Sequence, residues 1–281
     1  MASKTIVITG ASDGIGAAAA RRLRQNGDNV VVIGRSQNKT AAIAAELDAD
    51  HFVVDFADLS QVRTLAQKLR SQYPRIDVLL NNAGGMSTKI CMTPDGYEQT
   101  YQVNYLSPFL LTTQLMDLLL ESRATVVNTT SSSHKLVLRA TVNDFENTAR
   151  RRPSAAYGLT KLAIVLFTRE LHRRHHAGGL NAATVHPGYV SSNFGHASGS
   201  RLLLWSQKYT PAERFTSTTD EGAEQLVWLA TSTPGVDWTP GEYYSRHKVA
   251  KASRLANNPR LAAELWDRTL ARLAPVRGNA C

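Results

Sequence analysis

The N-terminal stretch constrains the fold more than any other part of the chain. Lys4-Thr-Ile-Val-Ile-Thr9 is a short β-branched run, as expected for a buried parallel strand. It leads directly into Gly10-Ala-Ser12-Asp13-Gly14-Ile15-Gly16, then into an alanine-rich segment carrying Arg21, Arg22, Leu23 and Arg24. Strand, glycine turn and helix in that order is the context a dinucleotide-binding turn needs. Glycines let the backbone turn tightly and come close to a pyrophosphate. The helix N-terminus then offers free N–H groups and the positive end of its dipole. A plain strand–helix turn also favours glycine, but three glycines directly after an N-terminal strand favour the nucleotide reading.

The rest of the chain repeats the alternation. Strands are expected near 4–9, 29–33, 51–54, 76–81, 124–129, 180–186 and 242–244. Helices are expected near 15–26, 39–48, 59–73, 95–120, 155–176, 220–231 and 258–273. Such alternation implies an α/β fold with a mainly parallel sheet covered on both faces. At 281 residues, with no Pro/Gly/Ser-rich linker, the chain fits one domain over 1–281. Cys91 and Cys281 make no disulfide framework, so a reducing cytoplasm is the expected setting. No signal peptide is expected, since strand residues begin at Lys4, and no apolar run approaches the ~18 residues of a membrane span. The net charge of +9 includes Arg150-Arg151-Arg152 and His172-Arg173-Arg174-His175-His176. No aromatic–basic pattern accompanies it, so no nucleic-acid partner is expected. The three histidines lack the Cys, Asp or Glu spacing that would close a metal site. Favourable charge at a helix C-terminus accounts for them.

Tyr157 and Lys161 stand four residues apart at the head of a long helical segment, in Tyr157-Gly-Leu-Thr-Lys161. That spacing places both side chains on one helix face. A cation beside a phenol favours phenolate, so Lys161 is expected to lower the Tyr157 pKa towards working pH. A phenol tuned in this way is a general acid/base.

As a set, these motifs resemble the short-chain dehydrogenase/reductases. Thr9-Gly10-x-x-x-Gly14-x-Gly16 is similar to that family's glycine motif, and Asn81-Asn82-Ala83-Gly84 to its NNAG. Asn104 matches its helix asparagine. Val127-Asn128-Thr129-Thr130-Ser131 matches the strand ending in the catalytic serine, Tyr157 and Lys161 match YxxxK, and Pro187-Gly188 matches the later turn. The motifs keep family order from residue 4 to about 195. Lys161–Leu171, Val185-His186-Pro187-Gly188 and Ser131-x-x-His134 look most like the retinol-dehydrogenase-like branch. The resemblance implies a Rossmann-like, doubly wound, seven-stranded sheet in the order 3-2-1-4-5-6-7.

The resemblance also implies roles. Ser131 hydrogen-bonds the substrate oxygen, with Ser132 as its competitor in the serine run. Tyr157 transfers the proton, and Lys161 holds the nicotinamide ribose and tunes the phenol. Asn104 kinks its helix and holds a water in a proton relay. Gly10, Ser12, Asp13, Gly14, Ile15 and Gly16 cradle the pyrophosphate. Asp55, with Phe56 alongside, meets the adenine; Asn82, Ala83 and Gly84 pack against its ribose. Pro187, Gly188 and Val190 contact the nicotinamide. His134 is placed beside the substrate pocket.

Cofactor choice is read at the end of the second strand. An acidic residue there would bind a ribose 2′-hydroxyl, but this sequence has Gly34 and then Arg35. A guanidinium binds a 2′-phosphate with a charge-assisted fork. Arg35-Ser36-x-x-Lys39 is similar to the turn of NADP-using members, so NADP(H) is expected. Asp13 departs from the basic residue that many such members carry at its position.

After Gly188, the segment 189–219 carries Phe194, Leu202-Leu-Leu204-Trp205 and Tyr209. It is expected to be a substrate lid. An apolar, aromatic lid suits a lipophilic or aromatic carbonyl compound or alcohol. Retinal-like, xenobiotic and polyketide-type carbonyls all fit. A homodimer or homotetramer is the assembly considered. Two other functions compete. A non-catalytic NADP(H) sensor would have no need for the retained Ser131, Tyr157 and Lys161. A nucleotide-sugar epimerase or dehydratase would show TGxxGxxG and a larger C-terminal region than the fewer than 100 residues that follow Gly188.

Overall fold

The computed structural model describes residues 3–190 and 216–274. Its centre is one eight-stranded sheet in the order β10-β9-β6-β5-β4-β1-β2-β3. In chain order the strands are β1 Thr5–Thr9, β2 Asn29–Gly34, β3 Asp50–Val53, β4 Val78–Asn81, β5 Thr125–Thr129 and β6 Asn181–His186. The short strands β7 Tyr189–Val190 and β8 Thr216–Ser217 pair in parallel with each other, apart from the sheet. The last two are β9 Tyr243–Ser245 and β10 Lys248–Val249. The Rossmann-like order is as expected. The eighth strand is the addition: β10 turns back on β9 and is the sheet's antiparallel edge. Two residues are too few for an alternating pattern to be read in sequence.

Helices α1 Gly14–Gln25, α2 Gln37–Leu47 and α3 Leu59–Gln72 follow the first three strands. Asp58 caps α3, accepting from the N–H groups of Ser60 and Gln61, as its residue type predicts. The helix expected near 95–120 is broken. It comprises α4 Gln99–Tyr101, a π-helical turn Gln102–Leu106, α5 Ser107–Gln114 and α6 Met116–Glu121. Then come α7 Val142–Glu146, α8 Pro153–His175, α9 Thr219–Thr231 and α10 Pro259–Leu273.

Period-two alternation fills both faces. Val7, Val31 and Ile33 point into a core with α3, α5, α8 and α10, where Leu65, Phe109, Leu162 and Trp266 lie. Ile6, Ile8, Val30 and Val32 point into the opposite core with α1, α2 and α9. Because β1 to β6 and β9 run parallel, their carboxyl ends share one edge, with Gly34 opposite Val53, Asn81 opposite Asn128, and His186 opposite Ser245. The glycine turn, the Gly34-Arg35 pair, Asn82, Ser131 and Pro187-Gly188 sit on or next to that edge. The expected lid is largely outside the described residues: Phe194, Leu202, Leu204, Trp205 and Tyr209 all are, and the side chain of Val190 is not described. Among the described residues, no helix is long and apolar enough to cross a membrane.

Candidate active site

The glycine turn is built by exclusion of side chains. Gly10 and Gly14 have φ of +69° and +54°, which disfavours any side chain. A Cβ on Gly16 would lie 2.2 Å from the carbonyl oxygen of Gly10, so α1 can start close against the turn only without one. Thr9 fixes the neighbouring strand end. Its hydroxyl accepts from the N–H groups of Asn82 and Ala83, both at 3.0 Å. The Asn82 amide donates back to Thr9 O at 3.3 Å and accepts from the Thr129 hydroxyl at 3.3 Å. Strands β1, β4 and β5 are thereby tied together where the motifs meet.

The expected cofactor residues divide into two groups. Ser12 and Thr40 pack against Gly34 so closely that a Cβ there would lie 2.4 Å from Thr40 Oγ1 and 2.6 Å from Ser12 Cβ. The position where an acid could stand therefore has no room for one. Arg35 is exposed immediately beyond it. Ser36 caps α2, accepting from Lys39 N–H. Asp13 caps α1 through Gly14 N–H at 2.8 Å, and its other oxygen pairs with the Lys39 ammonium at 2.6 Å. That ion pair is exposed and worth little to stability. Asp55 accepts from Ala57 N–H at 2.9 Å in a local turn. The Phe56 ring is buried in the core, while its carbonyl anchors the Ser107 hydroxyl at 2.6 Å. Gly188 has φ of +95°, so the Pro187-Gly188 turn needs its glycine.

At the other end of the edge, β5 delivers Ser131 and α8 delivers Tyr157 and Lys161. Ser131 caps the short 3₁₀ turn Ser132–Leu136, and its hydroxyl is hydrogen-bonded to the Tyr157 phenol. The Lys161 ammonium lies 5.5 Å from the centre of the Tyr157 ring and donates to Thr129 O at 3.2 Å. The Thr130 hydroxyl donates to Lys161 O at 2.8 Å, fastening β5 to α8. Asn104 is only 2% exposed in the π-helical turn. Its amide donates to Gly85 O and Thr100 O, both at 2.8 Å, and accepts from Gly85 N–H at 3.2 Å. A Cβ on Gly84 would lie 2.5 Å from Asn104 Oδ1 and 3.6 Å from Lys161 Nζ, so the asparagine, the glycine and the lysine share one corner. The kink expected at Asn104 takes the form of this π turn, a distortion frequent at functional sites.

The expected tuning of the phenol is corrected. The Tyr157 pKa is pushed up to about 12, because the dry surroundings penalise phenolate and the Ser131 hydrogen bond only partly opposes this. Lys161 is 4% exposed, and burial pulls its own pKa down to about 7. An ammonium that is itself close to losing its proton cannot force phenolate on its neighbour. Burial dominates both groups, and residue spacing does not report burial.

Several residues have supporting roles that the sequence reading did not assign. Asn81 donates to Asn128 Oδ1 at 2.9 Å and Thr112 Oγ1 at 3.1 Å, and Asn128 donates to Thr168 Oγ1 at 2.9 Å. This network braces β4 and β5 against α5 and α8. Gln225 on α9 donates to His186 O at 3.1 Å and accepts from Arg246 N–H at 2.6 Å. It fastens the strand end before Pro187. Single polar residues on otherwise apolar faces were the available signal. Among the described residues no three metal-ligating side chains converge, and the His172 and His176 rings lie tilted with centres 4.4 Å apart at the end of α8.

The comparisons agree with this geometry. Residues 4–202 match the family described as short chain dehydrogenase. A candidate daunorubicin C-13 ketoreductase of Streptomyces sp. (strain C5) is 36% identical over 276 residues, covering 95% of this chain and 92% of that protein. Retinol dehydrogenase 12 of Mus musculus is 35% identical over 272 residues, covering 94% and 84%. The crystal structure of an uncharacterized Mycobacterium paratuberculosis protein superimposes with a TM-score of 0.76 at 31% identity, covering 96% and 93%. Shared fold, an intact set of motifs on one sheet edge and these likenesses make the chain a member of the short-chain dehydrogenase/reductase family of oxidoreductases, on its retinol-dehydrogenase-like branch.

Proposed function

We propose that this chain interconverts a carbonyl and an alcohol on a lipophilic or aromatic small molecule, using NADP(H), with Tyr157 as the general acid/base. The observation that carries the reading is the Ser131 hydroxyl bonded to the Tyr157 phenol, with the Lys161 ammonium against the same ring. The relatives' names, a ketoreductase and a retinol dehydrogenase, support carbonyl–alcohol exchange.

The donor set fits a dinucleotide. Gly10 to Gly16 and the start of α1 would hold the pyrophosphate; Arg35 and Lys39 would hold a 2′-phosphate that Gly34 leaves unopposed. Asp55 would meet the adenine, beside the Phe56 backbone, and Asn82 to Gly84 its ribose. Lys161 would hold the nicotinamide ribose, and Pro187, Gly188 and Val190 the nicotinamide. The bound group supplies hydride to the carbonyl carbon. Ser131 donates to the substrate oxygen and holds it beside the phenol. Tyr157 stays protonated at neutral pH, since its pKa is about 12, so it is charged with the proton that reduction requires. Lys161 and Asn104 lie where that proton can be replaced from the far side.

Tyr157→Phe removes one hydroxyl and keeps the ring. Carbonyl reduction with NADPH should fall by ~10²–10⁴-fold while dinucleotide binding and the circular dichroism spectrum stay unchanged. Unimpaired turnover in that variant would overturn the mechanism.

A further inference from the structure

We infer that His134 is a positioning residue: its ring clamps the carbonyl of Ser131 and thereby sets where the serine hydroxyl stands. The inference rests on the role proposed for Ser131.

His134 is 0% exposed. Its Nδ1 lies 2.6 Å from Ser131 O, and its own backbone N–H donates to the same oxygen at 3.3 Å. A carbonyl can only accept, so the proton is on Nδ1 and Nε2 is the bare acceptor. That Nε2 is buried with no hydrogen-bond partner among the described residues. Burial and the nearby Lys135 and Arg169 pull the ring's pKa down, which agrees with a neutral imidazole.

An unpaired buried acceptor costs stability, and an apolar side chain of similar size would avoid the cost. What the histidine adds over such a side chain is the Nδ1–H bond to Ser131. The ring is held for this task by Tyr243, edge-to-face with centres 4.9 Å apart. The Ser131 hydroxyl also accepts from Ser133 N–H at 3.3 Å, so Ser131 is restrained through its hydroxyl and through its carbonyl. Restraint of this kind matters because a reacting group displaced by about 1 Å can lose ~10²-fold in rate.

The test is a double-mutant cycle read as kcat and KM. His134→Leu should lower kcat by ~10–10²-fold with little change in the KM for the dinucleotide. His134→Asn, whose amide N–H can take the place of Nδ1–H, should stay within roughly threefold of the parent. In a Ser131→Ala background, His134→Leu should cost no more than about twofold, because the positioned group is gone. Equal losses from His134→Leu in both backgrounds, or an Asn variant as damaged as Leu, would overturn the inference and leave the proposed function standing. Full turnover in Ser131→Ala would instead remove the serine from the reaction, and both readings of it would fall. If His134→Leu does not fold, His134→Gln supplies the contrast with Asn, since its longer side chain carries the N–H past the Ser131 carbonyl.

Discussion

The two ends of the sheet edge are made from opposite materials. Where β1 and β2 end, the structure is backbone: Gly10 and Gly14 at positive φ, and Gly16 and Gly34 with no space for a Cβ. The charged groups there, Asp13, Arg35 and Lys39, are exposed. Where β5 meets α8, the structure is buried polar side chains: Asn104, Asn128, His134 and Lys161. Two of the groups at that corner, Tyr157 and Lys161, hold pKa values displaced from their ordinary ranges. The contrast separates two kinds of vulnerability. The first end should tolerate loss of a charge and fail on a gained methyl group. The second should fail on the loss of a single hydroxyl, and its ionisable groups tax the stability of the fold that carries them.

The sharpest break lies within the serine run at the side-chain end. Ser131→Ala should lower kcat by ~10²-fold, as removing one oxyanion donor does elsewhere. Ser132→Ala should cost much less, because it leaves in place the Ser131 hydroxyl beside the Tyr157 phenol. Steady-state kinetics on the two variants decides between them. A larger loss in Ser132→Ala would show that the neighbouring hydroxyl holds the substrate.

The two ends also differed in how far the sequence disclosed them. Steric demands write themselves into residue type, so the glycine turn and the Gly34-Arg35 pair could be read directly. Spacing along one helix placed Tyr157 beside Lys161. Dryness is a property of what other segments bring, and the sequence around Tyr157 gave the cation without the burial that overrides it. The π turn had no mark beyond the kink that the resemblance implied at Asn104, since Gln102-Val-Asn104-Tyr-Leu106 would otherwise suit an ordinary helix. His134 could be seen as a residue near the pocket. Its bond to Ser131 O and its packing on Tyr243 come from a 3₁₀ turn and a strand over 100 residues away. Gln225 was likewise one polar residue in a helix, until β6 and the β9–β10 turn came to flank it.

At the backbone end the expected effect is smaller and selective. Arg35→Ala should weaken NADPH binding about tenfold, the lower range for an exposed charge-assisted contact, and leave NADH binding unchanged. Isothermal titration of both dinucleotides measures the difference directly. Equal weakening of the two, or a parent protein that prefers NADH, would rule out the guanidinium as a phosphate clamp. Gly34→Asp sharpens the point. Its Cβ would collide with Ser12 and Thr40, so it should lower the melting temperature without creating a useful NAD(H) site.

The smallest free-energy effect is on folding stability, and its sign at low pH follows from the burial of Lys161. Lys161 titrates near 7 in the folded protein and near ~10.5 when unfolded. Between those values the unfolded chain holds a proton that the folded chain sheds, so this lysine's cost to folding is greatest below about pH 7 and fades as pH rises towards 10.5. Lys161→Met keeps the length and removes the charge. It forfeits the bond to Thr129 O and the contact with the Tyr157 ring, which offsets part of the gain. Without added dinucleotide, the net should be a melting temperature a few degrees above the parent at pH 6.5, near ~1 kcal/mol. The difference should shrink or reverse at pH 9.5. Activity should be lost throughout. Differential scanning calorimetry at the two pH values tests this, and a variant less stable than the parent at pH 6.5 would mean that the ammonium's contacts outweigh its burial. The lysine would then stabilise the catalytic corner, and the contrast between the two ends would hold for chemistry but not for stability.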